Sequence, residues 1–205
     1  MKLFFAPGTC SFSPHIVLQE LNLSYDLVRV DNRTKRTSDG RDFLAVNPKG
    51  YVAALELDDG EVLTEGPAIV QYLADLRPEL GLAPANGTLE RVRLQEWLNF
   101  ITSEIHAGAA PLFNQTLPKP VRSTFETRLF RRLDLIDATL LKKAYLLGDR
   151  FTVADAYLYT VLGWMPGFSI DLMRWPRIDD YHSRIARRPS VVRAQMREAQ
   201  LSSVS

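Results

Sequence analysis

The chain has 205 residues, 46% of them hydrophobic and 24% charged, enough to bury a core in one or two domains. Its 25 Lys and Arg against 24 Asp and Glu leave no global field to draw it to nucleic acid or to an anionic membrane surface. One cysteine and three scattered histidines exclude a disulfide framework and give no metal-ligand spacing, which suits a reducing cytoplasm and a chemistry without metal. No apolar stretch approaches a membrane span, and Pro7-Gly8 cut the first one too early for a secretory leader.

In chain order, KLFFA (residues 2–6) is a compact apolar run that reads as a buried strand ended by Pro7-Gly8. Residues 13–22 follow as a helix with Pro14 in its first turn. Residues 25–30 alternate as a second strand, and residues 41–47 read as a short helix ended before Pro48. Two apolar runs flank Asp59-Gly60, which predicts a β-hairpin. Pro67 then opens a helix that stops before Pro78. The order β-α-β-α-β-β-α implies a small mixed sheet with helices on both faces. Strand signals vanish beyond residue 88. Residues 89–113 read as one long amphipathic helix, residues 121–143 as a second, and the nearly all-apolar residues 151–165 as the buried helix of a bundle. Thr152 and Asp155 form a capping box at its start. Helices over 177–187 and 190–198 follow, separated at Pro189. Charge changes sign along the chain: 8 bases against 12 acids in residues 1–80, then 17 against 12 in residues 81–205. With the Pro- and Gly-rich stretch RPELGLAPANG, this predicts a domain over 1–80, a linker over 81–87 and an all-helical domain over 88–205.

Few residues carry chemistry unaided. Cys10 sits in a turn beside a helix start, where backbone N–H groups and the helix dipole favour a thiolate. The plain alternative is a small buried hydrophobe. At about 100° per residue, Asn99, Ser103 and His106 fall on one stripe, with Leu94, Trp97, Leu98, Ile101 and Ile105 on the other side and Glu104 off the stripe. A polar stripe of this kind equally suits a face turned to water. Glu65 and Gly66 stand at a helix start, where Glu65 could do no more than complement the dipole. Lys35 by itself is a loop charge, and His15 and His182 read as surface or core-edge residues. The basic stretch RIARRPSVVRAQMR has its arginines dispersed over helices and does not amount to a nucleic-acid site.

Five motifs in register, MKLFFAPGTCS, VNPKGYVAAL, LTEGPAIVQYLAD, EWLNFITSEIH and GDRFTVADAYL, resemble the bacterial beta-class glutathione transferases. The resemblance covers essentially the whole chain. It implies an α/β plus all-α architecture: an N-terminal thioredoxin-like domain with a mixed four-stranded sheet, then a C-terminal helical bundle that holds the acceptor substrate. It implies glutathione as co-substrate, small hydrophobic electrophiles, a homodimer and a cytoplasmic enzyme. By the same resemblance, Glu65 and Gly66 hold the γ-glutamyl moiety and the Val52 backbone pairs with the cysteinyl part as an added strand would. Lys35 contacts the glycyl end, and Cys10, Ser11 and His106 are the catalytic candidates. Asn99, Ser103 and Glu104 line the glutathione site, often across the dimer interface. Cys10 would lie near the tripeptide sulfur, so glutathione-dependent disulfide exchange is a possible second activity, with Ser13 where a dithiol enzyme has its other cysteine. Phe12, Pro111, Phe113 and Trp164 are candidates for the acceptor wall.

Two positions depart from the family pattern. Ala53 replaces the proline that follows the valine in a cis peptide, and cis costs roughly 2.5–4 kcal/mol before a non-proline residue. A trans Val52–Ala53 bond and a loosened pairing edge are therefore expected. Ala107 stands where relatives commonly carry lysine. Both departures favour the rival expectation, a non-catalytic binding or stress protein that kept the fold. Intact Cys10, Glu65 and His106 oppose it.

Overall fold

Proline and glycine punctuation sets the first half. The computed structural model describes residues 1–202 and places β1 at Lys2–Phe5, α1 at Phe12–Glu20, β2 at Asp26–Arg29 and α2 at Phe43–Val46. The hairpin follows as β3, Ala54–Glu56, and β4, Val62–Thr64, with α3 at Gly66–Asp75. Gly60 takes φ +91° at the hairpin tip, where Asp59 accepts from Glu61 N at 3.0 Å, as the Asp-Gly pair predicts. The sheet order is β2-β1-β3-β4, with β1 parallel to β2 and antiparallel to β3. Period-2 alternation sends Phe4, Val28 and Ala54 into one layer with Phe43 of α2, and Leu3, Phe5 and Leu55 to the opposite face. α1 and α3 pack on each other.

The Val52–Ala53 peptide is cis, which corrects the trans expectation. Both residues are buried, Asn47 Nδ2 donates to Tyr51 O at 2.7 Å, and the Cys10 thiol donates to Val52 O at 3.2 Å. This packing outweighs the local preference on which the expectation rested, and the loosened edge inferred from it loses its premise.

The second half is helical. α4 spans Leu89–Phe100, with Thr88 accepting from Arg91 N at 3.2 Å as its cap. The expected single helix over 89–113 is not one regular helix. Ile101–His106 is π-helical, the three-residue α5 follows at Ala107–Ala109, and Ala110–Phe113 tightens to a 3-10 turn. α6 is Lys119–Leu140, α7 Val153–Leu162, α8 Pro176–Ala186 and α9 Pro189–Ser202. Every residue of α7 is buried. The capping box at its start is present: Thr152 N donates to Asp155 Oδ2 at 2.8 Å, and the same carboxylate accepts from Leu146 N and the Tyr181 hydroxyl, both at 2.9 Å. Among the described residues, no helix is long and apolar enough to cross a membrane.

The chain divides into two compact units, one of residues 1–83 together with the chain from Arg187, the other of residues 84–186. This differs from the expected split, which kept everything beyond residue 88 together. The reason lies in α9, which packs against α1. Glu198 meets His15 Nδ1 at 2.8 Å, Arg188 and Ser190 both donate to Glu20, Arg193 donates to Gln19, and Val191 and Ala194 are fully buried. His15, expected at the surface or core edge, is 0% exposed. His182 is half-buried and stacks on Tyr159 at 4.5 Å.

Candidate active site

In the first unit, the turn after β1 carries Cys10. Thr9 Oγ1 donates to Ala6 O at 2.8 Å, Ala6 N donates to Ser11 Oγ at 3.2 Å, and Ser13 Oγ donates to Cys10 O at 3.0 Å. These bonds fold the backbone around the thiol. Ser11 is fully buried with its hydroxyl committed to Ala6 and Thr9, so it serves the turn, not an incoming ligand. Cys10 is half-buried and precedes the cap residue Ser11.

The thiolate expectation for Cys10 is overturned. Burial pushes the thiol from 9.0 up to about 11; the Glu65 charge raises it too, while the N–H groups of Cys10 and Ala53 oppose the rise. The sulfur lies outside the helix end, and its proton is already donated to Val52 O. At neutral pH Cys10 is a thiol.

Glu65 and Lys35, singled out in the sequence for glutathione, share an unusual backbone. Glu65 takes φ +68° and Lys35 φ +57°, the left-handed region that non-glycine residues rarely occupy. Only Asn22 and Ser169 join them among the described non-glycine residues. Glu65 O accepts from Ala68 N and Ile69 N, both at 3.0 Å, which ties its backbone to the first turn of α3. Its exposed carboxylate bonds Lys49 Nζ at 2.7 Å, and the same ammonium donates to Thr64 Oγ1 at 2.9 Å. Lys49 escaped the sequence reading; its place in NPKG, two residues past an Asn that turns the chain, was the available signal. Lys35 Nζ donates to Gly50 O at 2.8 Å and lies 5.7 Å from the Tyr51 ring, which is 76% exposed. Lys35, Val52, Glu65 and Cys10 thus gather around one short backbone edge. Gly66 opens α3, and a Cβ there would meet only Ser13 Oγ at 3.9 Å.

The second unit gathers different groups around His106, at the end of the π-helical segment. Its Nδ1 lies 2.7 Å from the Tyr157 hydroxyl, and its ring meets Trp164 edge-on at 4.8 Å. Phe113, 54% exposed, packs on Trp164 at 5.3 Å and on Phe168 at 4.8 Å. Burial pushes the imidazole below its ordinary value, so His106 is neutral at pH 7. The predicted stripe is only partly realised. Ser103 Oγ donates to Asn99 O at 3.0 Å, and both residues are exposed. Glu104 turns to α6, where hydrogen bonds and charge from Arg132 at 2.8 Å, with Arg128 at 3.6 Å, hold its carboxyl below the usual range. Phe12, a wall candidate, lies in the first unit edge-on to His15 at 6.2 Å. Tyr157 was missed because α7 reads as apolar throughout, although a tyrosine in such a helix needs a partner for its hydroxyl. Among the described residues, no cluster of three or more His, Cys, Asp or Glu could hold a metal ion.

Comparison with known proteins agrees with both units. Residues 9–76 match the family model of the glutathione S-transferase N-terminal domain, and residues 100–189 that of the C-terminal domain. The chain is 44% identical over 191 residues to glutathione S-transferase GstA of Escherichia coli, covering 93% of this chain and 95% of that protein. It is similar to the structure of a sphingomonad glutathione S-transferase complexed with glutathione, with a TM-score of 0.94 and 43% identity over 97% of this chain and 99% of that one. The beta-class enzyme of Sphingomonas chungbukensis gives a TM-score of 0.92 and 45% identity over 97% and 98%.

Proposed function

The chain belongs to the glutathione S-transferase family, and from that premise we propose how its two units share the work. The first unit binds glutathione: the Val52 backbone pairs with the cysteinyl part, Glu65 and the N–H groups at Gly66 hold the γ-glutamyl end, and Lys35 takes the glycyl carboxylate. The second unit offers the acceptor wall through Phe113 and Trp164, with His106 beside them, for a small hydrophobic electrophile. In the reaction the glutathione thiol gives its proton to solvent water, its sulfur bonds the electrophilic carbon, and the leaving group departs with the electron pair. The chain acts as a cytoplasmic homodimer, in which the exposed Asn99 and Ser103 reach a second copy. Glu104 enters this reading as the anchor between the π-helical segment and α6.

Cys10 stays a neutral thiol during conjugation, its proton held by Val52 O. Disulfide exchange, in which its thiolate attacks oxidised glutathione and releases one glutathione thiolate, is a slower second activity confined to alkaline pH.

The observation that carries the reading is the gathering of Cys10, Lys35 and Glu65 around the Val52 edge, with both charged residues in left-handed backbone. Calorimetric titration of the reduced protein with glutathione tests it. A Kd below about 1 mM, about −4 kcal/mol, with conjugation of an activated aryl halide, is the expected result. No heat at two temperatures, with no conjugate formed, sinks it.

A further inference from the structure

The guanidinium of Arg122 bonds the backbone at two distant points of the second unit. We propose that Arg122 is a positioning residue for the acceptor wall: by holding the two turns that carry Phe113 and Trp164, it sets the gap between them and so selects electrophiles by size. The inference rests on the transferase reading for the ligand, but not for the clamp itself.

Arg122 stands near the start of α6. Four residues on, Glu126 Oε1 accepts from Arg122 Nε at 2.9 Å, a favourable spacing for a helix pair. Both side chains are partly buried. With Nε held, the two terminal nitrogens of the planar fork have fixed directions. Nη2 donates to Phe168 O at 2.8 Å, and Nη1 donates to Leu112 O at 3.4 Å. The first bond is the firm one and the second is long.

Each carbonyl belongs to a short turn of the wall. Leu112 lies in the 3-10 turn Ala110–Phe113, directly before Phe113. Phe168 ends the 3-10 turn Met165–Phe168, which follows directly on Trp164. That turn closes where Ser169 takes φ +62°, and the N–H groups of Ser169 and Ile170 donate back to Pro166 O and Met165 O, both at 3.0 Å. This cap serves those two carbonyls, and Arg122 takes that of Phe168. A cation is favourable at the carbonyl end of a turn for the reason that it is at a helix C-terminus.

The rings on the two turns meet edge-on, Phe113 with Trp164 at 5.3 Å and with Phe168 at 4.8 Å. Aromatic pairs tolerate centroid separations of about 4.5–7 Å, so the rings alone leave the gap loosely defined. A charged fork bonded to both backbones defines it.

Arg122→Met keeps the stem and removes the fork. Its KM for an activated aryl halide should rise about fivefold to tenfold with kcat little changed, because a wall binds the electrophile equally before and in the transition state. The KM for glutathione, held by the first unit, should stay the same. A bulkier polycyclic halide should lose little or gain, so the preference for the smaller substrate should fall about fivefold or more. A lower melting temperature with that preference intact would mark a merely structural arginine and overturn the proposal. Arg122→Lys keeps the charge but lacks the fork, so it should lose about twofold to threefold of the same preference. An unchanged preference in Arg122→Lys also overturns the proposal, and this variant decides if Arg122→Met does not fold. In a Phe113→Ala background, Arg122→Met should not alter the preference further.

Indole 1H–15N signals of the ligand-free protein give a readout that needs no glutathione. The chain has three tryptophans, and Trp164→Phe identifies the Trp164 signal. Arg122→Met should move that signal and leave those of Trp97 and Trp175 in place; an unmoved Trp164 signal overturns the clamp. Should the protein form no conjugate, the transferase reading falls with the size selection built on it, while the indole signal still decides whether Arg122 holds the wall.

Discussion

The two units hold their candidate site residues by different means. In the first, the backbone does the holding: Cys10 sits in a turn tied by Thr9, Ser11 and Ser13, and Lys35 and Glu65 are fixed by left-handed φ. In the second, side chains do it: His106 is placed by the phenol of Tyr157 and the indole of Trp164. Turn chemistry is local and residue-specific, while side-chain clusters form between elements distant in sequence. Turns that impose one backbone geometry therefore show in a sequence read alone, as at Pro7-Gly8 and Asp59-Gly60, whereas a distant side-chain partner such as Tyr157 for His106 does not.

The sharpest way to break the comparison is the protonation of Cys10. If the turn buries the sulfur as described, raising the thiol from 9.0 to about 11, the thiolate fraction at pH 7 is only about 10⁻⁴. Alkylation by iodoacetamide should then be about a hundredfold slower than for a free thiol at pH 7, and should rise about tenfold per pH unit up to pH 10. Glu65→Gln should speed it, because the carboxylate charge raises the thiol. Rates that level off below pH 8 would mean the helix end reaches the sulfur after all, as the sequence suggested.

Next in size is the pair Glu65→Ala and Glu65→Gly. Both remove the carboxylate, and both should weaken glutathione binding about tenfold to a hundredfold, the range of a hydrogen bond to a charged group. Their stabilities should part. Glycine adopts φ +68° without the Cβ penalty, so Glu65→Gly should be about 1 kcal/mol more stable than Glu65→Ala in denaturant unfolding. Equal stabilities would show that the left-handed backbone at Glu65 costs nothing, and would weaken the case that the first unit stores its site in backbone conformation.

How much was legible follows the same division. Pro7-Gly8, Asp59-Gly60 and Pro67 marked the ends of β1, the hairpin and the start of α3, because each residue imposes one backbone geometry. Thr152 and Asp155 announced α7 for a similar reason. The π-helical break was invisible, since ITSEIH satisfies a 3.6-residue period as well as a longer one. Glu104 was assigned to glutathione, but Arg132, 28 residues away, claims it. Charge and proline content pointed to a break near residue 80, but nothing in the sequence pointed to the return of α9 to the first unit. That return depends on Glu198 finding His15 across 183 residues, which no local pattern encodes.

The α9 contact is a place where the first unit itself relies on a long-range side-chain pair. Glu198 is 7% exposed and meets His15 at 2.8 Å. Glu198→Ala should cost about 2 kcal/mol in chemical unfolding, as for a buried hydrogen bond to a charged partner, and should expose the chain after Arg187 to limited proteolysis. Unchanged stability and protection would show that Val191, Ala194 and the Glu20 bonds hold α9 without it.

The smallest effects separate two glycines that flank the proposed glutathione edge. Gly50 takes φ +74°, and a Cβ there would stand 3.2 Å from Leu44 Cδ2 and 4.0 Å from Lys35 Cε. Gly50→Ala should therefore destabilise by about 1–2 kcal/mol and disturb the Lys35 contact with Gly50 O, which would show as weaker glutathione binding. Gly66 has no left-handed φ, and its added Cβ would meet only Ser13 Oγ at 3.9 Å. Gly66→Ala keeps the backbone N–H that the anion needs and removes chain entropy from the unfolded state. Stability should then rise by about 0.4–1 kcal/mol with glutathione affinity unchanged. A loss of affinity in Gly66→Ala would mean that glutathione approaches the backbone more closely at the start of α3 than the Val52 edge requires, and would move the centre of the site from β3 towards that helix.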